Sequence, residues 1–156
     1  CALVEKYLDG KYSQDDALVA AECYDSLANC SCDLGDSKAA YKHCGKALVL
    51  RIECLGIAHA DTARTHLRLG TLFRQFGQYR AAVQELTLAM KAYTRLYGIH
   101  SVELGDVFFE LGRCYSTTDK SSTMGLKHAQ ERLSAALLIF TQQLGSDAPK
   151  TVEVRQ

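Results

Sequence analysis

The sequence predicts an all-α fold, a solenoid of antiparallel helix pairs stacked side by side, and three observations predict it. Landmarks recur 42 residues apart: Leu69-Gly70 reappears as Leu111-Gly112 and, with alanine for glycine, as Leu27-Ala28, while Ala82 matches Ala40 and Ala89 matches Ala47. A fixed period of this size belongs to repeat arrays. Apolar residues fall three to four apart, and no stretch alternates as a half-buried strand would. Finally, Gly35 reads as a helix stop and recurs as Gly77, and Leu55-Gly56 recurs as Tyr97-Gly98.

Residues 1–14, with LVEKYLDGKY, read as the end of a preceding helix and its turn. The first full copy spans 15–56. Its first helix, QDDALVAAECYDSLANCSCDLG, has Asp15 or Asp16 as candidate N-cap and Gly35 as stop. Its second starts at Asp36 or Ser37 and carries Ala40, Tyr41, Cys44, Ala47, Leu48 and Ile52 at helical spacing. The second copy, 57–98, places helices near 61–76 and 79–97, the latter with the stripe Tyr79, Ala82, Val83, Leu86, Ala89, Met90, Tyr93 and Tyr97. The third copy, 99–145, is stretched, because Ala129, Leu133, Ala136 and Leu144-Gly145 all fall five residues late. The extra residues lie in STTDKSSTMG, expected to be a loop insertion over 116–125, since loops accept length cheaply. With its hydroxyl residues it reads as a solvated insertion, phosphorylation being the sharper alternative. Helices are expected near 102–116 and 126–144, and residues 146–156 as the start of a further repeat or a capping helix.

A chain of 156 residues that is 47% apolar can bury one continuous stack. Its 18 basic and 18 acidic side chains cancel, and no basic run appears, so neither nucleic acid nor an anionic membrane is the expected partner. No apolar run approaches the roughly 18–20 residues of a membrane span, and no signal-peptide pattern opens the chain. The chain begins without methionine and ends in mid-pattern, as a piece of a longer protein does.

Seven cysteines raise the question of disulfides or zinc. Cys23 and Cys30 share a helix face, Cys30 occupies the place of Leu72 and Cys114, and Cys44 that of Leu86 and Leu133, so these read as small core hydrophobes. Cys30 and Cys32, two apart on a helix, point about 200° from each other, a poor pincer for a tetrahedral ion. No metal or other cofactor is expected. The odd count without a secretory signal favours a reducing, cytoplasmic compartment.

His66, Leu69, Gly70 and Phe73, with Ala82, Leu86 and Ala89, resemble the tetratricopeptide repeat, and so do Phe108, Leu111, Gly112 and Tyr115 with Ala129, Leu133 and Ala136. Tyr24, Leu27 and Ala28 with Ala40, Cys44 and Ala47 give a third copy, departing at Ser31, where an aromatic belongs. The period exceeds the usual one of about 34 residues, and resembles the long-helix variety of kinesin light chains. LGIAHADTA and YGIHSVEL place His59 and His100 between repeats, and LGSDAPKTV keeps Pro149 there. The resemblance implies a right-handed superhelix in which the first helix of each pair lines a concave groove. Small residues such as Gly70 and Ala82 then mark places where helices approach closely.

On that reading the groove carries Glu22, Asp25, Asn29 and Asp33 in the first copy. It carries Arg64, Leu67, Arg68, Thr71, Arg74 and Gln75 in the second, and Asp106, Phe109, Glu110, Arg113 and Thr117 in the third. An acidic partner segment could pair with Arg64, Arg74 and Arg113 while Leu67 and Phe109 make apolar contact. Alternatively, Arg64 or Arg68 pairs with Asp61 or Asp106. Asp25 stands where arrays that clamp a chaperone's terminal carboxylate carry lysine, so that ligand is not implied. His59 and His100 begin helices with no nucleophile or carboxylate constellation near, and no phosphate loop or paired-acid motif appears, so no catalytic residue is expected.

Two functions are implied. One is a protein-interaction scaffold, in cytoskeletal, motor-cargo or ciliary assembly. The other is a helical accessory domain of a larger enzyme, such as a SET and MYND type of lysine methyltransferase. Exposed apolar end faces also make self-association an expectation.

Overall fold

The computed structural model describes residues 13–118 and 123–155. Seven helices follow one another among them: α1 (Gln14–Asp33), α2 (Ser37–Leu55), α3 (Ala60–Gln75), α4 (Tyr79–Tyr97), α5 (Val102–Thr118), α6 (Thr123–Leu144) and α7 (Pro149–Arg155). No strand occurs among the described residues. Of the tail and turn read over residues 1–14, residues 1–12 lie outside the described residues, while Ser13 and Gln14 form the cap and first residue of α1.

Local chemistry explains each boundary. Ser13, rather than Asp15 or Asp16, caps α1: its hydroxyl accepts from the Asp16 N–H at 3.1 Å, and the Asp16 carboxylate accepts from the Ser13 N–H at 3.0 Å. Asp36 caps α2 through the Ala39 N–H at 3.0 Å. His59 caps α3, Nδ1 accepting from the Asp61 N–H at 3.2 Å. One period later the cap is Ser101, not His100, with its hydroxyl accepting from the Leu104 N–H at 3.2 Å. Pro149 opens α7, where its missing N–H costs nothing.

The turn inside a pair repeats as a motif. Gly35 and Gly77 have φ of 73° and 77°, and the N–H groups after them, of Asp36 and Gln78, donate back to the Ser31 and Phe73 carbonyls at 2.9 and 2.7 Å. Between pairs the stop differs. Gly56 and Gly98 combine φ of 84° and 81° with ψ of 166° and −177°, a region open essentially to glycine alone.

The sequence placed the third copy's extra residues in a loop over 116–125. The structure instead continues α5 to Thr118 and begins α6 at Thr123, leaving 119–122 outside the described residues. Much of the added length is helix: α6 has 22 residues where α4 has 19.

In the three pairs α1–α2, α3–α4 and α5–α6 the helices pack most closely on each other, and the second helix of each packs next on the helix that follows it, the nearest-neighbour pattern of a solenoid. Ala17, Ala21, Ala47 and Leu50 form the core inside the first pair. Leu69 and Leu72 of α3 then reach back to Ala28, Ala40 and Cys44, and Leu111 and Cys114 of α5 reach back to Ala82, Leu86 and Ala89. Ala136, Ile139 and Phe140 continue this stack under Val154 of α7. The small residues sit where axes meet. A Cβ built on Gly70 falls 2.7 Å from Leu86 Cγ, and one on Gly112 falls 2.6 Å from Leu133 Cγ.

This back-packing corrects the reading of the first copy. Leu27 is 46% exposed although Leu69 is 7% and Leu111 is 2% exposed, because those two are covered by the pair before them and no described pair precedes α1. Cys23 and Cys30 are exposed for the same reason, while Cys44 and Cys114 are buried as expected. Burial pushes the Cys44 thiol up to about 12 and the Cys114 thiol to about 11. Among the described cysteines, iodoacetamide at pH 8 should therefore modify Cys23 and Cys30 in the folded chain and leave Cys44 and Cys114 untouched until urea unfolds it; peptide mapping reads the order. Because the folded values are raised, the thiols' contribution to stability is intact below pH 9 and falls as pH rises from 9 towards 12.

Candidate functional site

The face lined by α1, α3 and α5 holds the residues assigned to the groove, and it is built by hydrogen bonds between successive first helices. Arg68 Nη2 on α3 donates to the Asp25 carbonyl of α1 at 2.8 Å and to Asn29 Oδ1. Arg74 Nε donates to Glu110 Oε2 of α5 at 2.5 Å. Arg113 lies 3.8 Å from both Glu110 and Glu153, and Lys150 of α7 donates to Asp106 at 2.6 Å. Arg64 is the most open, 65% exposed and paired with Asp61 three residues before it at 2.7 Å. An exposed pair at that spacing contributes only a few tenths of a kcal/mol.

Five predicted residues, Asp33 among them, meet in one place. Asn29, Arg68, Thr71 and Gln75 line a depression of about 500 Å³ between α1 and α3, together with Asp33 and Cys32. Partial burial raises the Cys32 thiol, an effect the Arg68 charge opposes. The Thr71 hydroxyl donates to the Leu67 carbonyl at 3.1 Å, leaving its lone pairs open. Leu67 and Phe109 turn partly inward, Leu67 against the second pair's core and Phe109 against Ala136 and its neighbours, with the Arg113 guanidinium 5.3 Å over the Phe109 ring. The polar residues assigned to the groove thus gather mainly around Arg68 and around Glu110, with Arg64 and Asp106 at the edge.

Sequence reasoning missed Arg51. It lies on α2, is 4% exposed, and reaches through the pair so that Nη1 donates to Asp25 Oδ2 and to the Thr65 hydroxyl, both at 2.6 Å. The signal was present in the register, since Arg51 stands where the second and third copies carry Tyr93 and Phe140. The face is therefore rich in arginine but nearly neutral: Arg51, Arg68, Arg74 and Arg113 each have a carboxylate of the fold within 4 Å. Glu22 and Asp33 on this face are exposed, and neither carboxylate has a cation within 4 Å among the described residues.

Comparison with known proteins agrees with this architecture. The family described as Tetratricopeptide repeat matches residues 19–95. The crystal structure of BtubC (BKLC) from P. vanneervenii matches with a TM-score of 0.73 at 22% identity, covering 86% of this chain and 52% of that one. The chain thus spans about half the length of that structure, and the likeness is one of fold. No curated protein matches. No helix among the described residues is long and apolar enough to cross a membrane.

Proposed function

We propose, from the premise that the chain is a tetratricopeptide-repeat array, that it is a scaffold holding a segment of a partner protein along the face of its first helices. Such arrays generally mediate protein–protein interaction, and they do so by surface rather than by chemistry. The observation that carries the reading is the depression between α1 and α3, where Asn29, Thr71 and Gln75 offer donors and acceptors to an extended backbone beside the fixed Arg68 guanidinium. Acidic groups of the partner would find Arg64, and secondarily Arg113, 42% exposed, as the most open guanidinium groups of this face. The 42-residue period supports use in cytoskeletal, motor-cargo or ciliary assembly.

Photo-crosslinking tests it. A benzophenone side chain placed at Gln75 or at Asn29 should capture the same protein, and one placed at Lys127, exposed on α6, should not. Capture from Lys127 alone, or equal capture from all three, would remove the first-helix face as the docking surface.

A further inference from the structure

The outer face of α4 carries a second and different surface. His66 of α3 is 3% exposed, and its Nδ1 is 2.7 Å from Glu85 Oε2. Its other ring nitrogen, Nε2, is buried with no hydrogen-bond partner, an arrangement that costs free energy unless a ligand or water meets it. The ring lines a cavity of about 160 Å³ whose other walls include Ile57, Leu88 and Ala92, with Lys91 and Arg95 at its edge. The same Lys91 and Arg95 border a neighbouring depression of about 500 Å³ between α4 and α5, floored by Met90, Leu104 and Phe108.

Two features separate this place from the first-helix face. Its apolar walls stay in reach of solvent, Ile57 and Ile99 being 60% and 62% exposed and Leu88 38%. Its cations are also unspent: Lys91 and Arg95 are exposed, and neither has a carboxylate within 4 Å among the described residues. They stand one turn apart on α4, about 6 Å from each other. Two apolar hollows flanking two unpaired cations are complementary to one kind of occupant.

We propose that the outer face of α4 docks an acidic, apolar protein segment. One aliphatic side chain of that segment enters the His66 cavity and a second covers Phe108. Carboxylates between them pair with Lys91 and Arg95, and a hydroxyl or backbone N–H of the segment donates to the His66 nitrogen, since Nδ1 holds its proton toward the Glu85 carboxylate. This surface is separate from the first-helix face and does not depend on it.

A random 12-residue peptide library displayed on phage and selected on the purified chain tests this directly. The enriched peptide, synthesised with a fluorophore, is titrated by anisotropy. Enriched sequences should set aspartate or glutamate beside leucine, isoleucine or phenylalanine. Lys91→Glu with Arg95→Glu should weaken the peptide at least tenfold, and Leu88→Gln should weaken it severalfold, with circular dichroism unchanged. Arg64→Glu with Gln75→Ala should leave it unaltered. Raising salt from 50 to 500 mM should weaken it too. Failure to enrich, enrichment of peptides without acids, or affinity untouched by the Lys91 and Arg95 changes would overturn the proposal. Binding lost only through Arg64 and Gln75 would do the same while supporting the first-helix face.

Discussion

Arg51→Ala should lower the unfolding free energy by about 2–4 kcal/mol, the cost of leaving a largely buried carboxylate without its hydrogen-bonded cation. Asp25 is the carboxylate at risk: Oδ2 accepts from Arg51, while Oδ1 is buried without a hydrogen bond and has only the Arg68 guanidinium, 3.9 Å away. The register supplies a rescue. One period on, the places of Asp25 and Arg51 hold Leu67 and Tyr93, and one further they hold Phe109 and Phe140. The ion pair therefore substitutes for an apolar pair in a frame that accepts either. Asp25→Leu combined with Arg51→Tyr should recover the parental stability or exceed it by about 1–4 kcal/mol, as apolar replacement of buried ion pairs often does. The Asp25 carbonyl that accepts from Arg68 belongs to the backbone and survives the change. Urea titration of the parent, Arg51→Ala and the double variant decides the matter. A loss under about 1 kcal/mol in Arg51→Ala, or a double variant no more stable than the single one, would show that the pair is not what joins α1, α2 and α3.

Much of the fold was legible because stacking repeats its demands. Wherever a first helix must approach a second, the chain spends a small residue, and Ala28, Gly70 and Gly112 appear one period apart. The helix stops at Gly35, Gly56, Gly77, Gly98 and Gly145 were readable for the same reason, since each needs a positive φ. What spacing does not carry is how pairs tilt against one another. That tilt brings Arg74 to Glu110 and Arg68 to Asp25 and Asn29, and so turns predicted partner contacts into bonds of the scaffold. Arg64 pairing with Asp61 was foreseeable from three-residue spacing on one helix. Leu27 and Cys30 were misread because periodicity tells which face packs, not whether anything lies against it.

The second large effect concerns a column of small residues that the repeat pattern did not single out. Ala21, Ala63 and Gly105 stand one period apart, as Arg51, Tyr93 and Phe140 hold equivalent places in the second helices; Ala63 and Tyr93 share a core, and Gly105 lies against Phe140. Phe140 is 1% exposed and packed with Ala136 and Ile139, so Phe140→Ala should cost about 3–5 kcal/mol. Its ring leaves no room opposite. A Cβ on Gly105 would fall 2.5 Å from Cε1, with Cδ1 and Cζ at 3.0 and 3.1 Å. Gly105→Ala alone should thus destabilise by about 1–3 kcal/mol through overpacking, although alanine favours a helix interior by roughly 1 kcal/mol over glycine. In the Phe140→Ala background the obstruction is gone and only the helix preference remains, so the same Gly105→Ala change should become stabilising, by up to about 1 kcal/mol. A double-mutant cycle read by urea midpoints at constant slope measures that change of sign. If Gly105→Ala has the same effect in both backgrounds, the α5–α6 crossing is not set by contact between Gly105 and the Phe140 ring, and the glycine must be there for another reason.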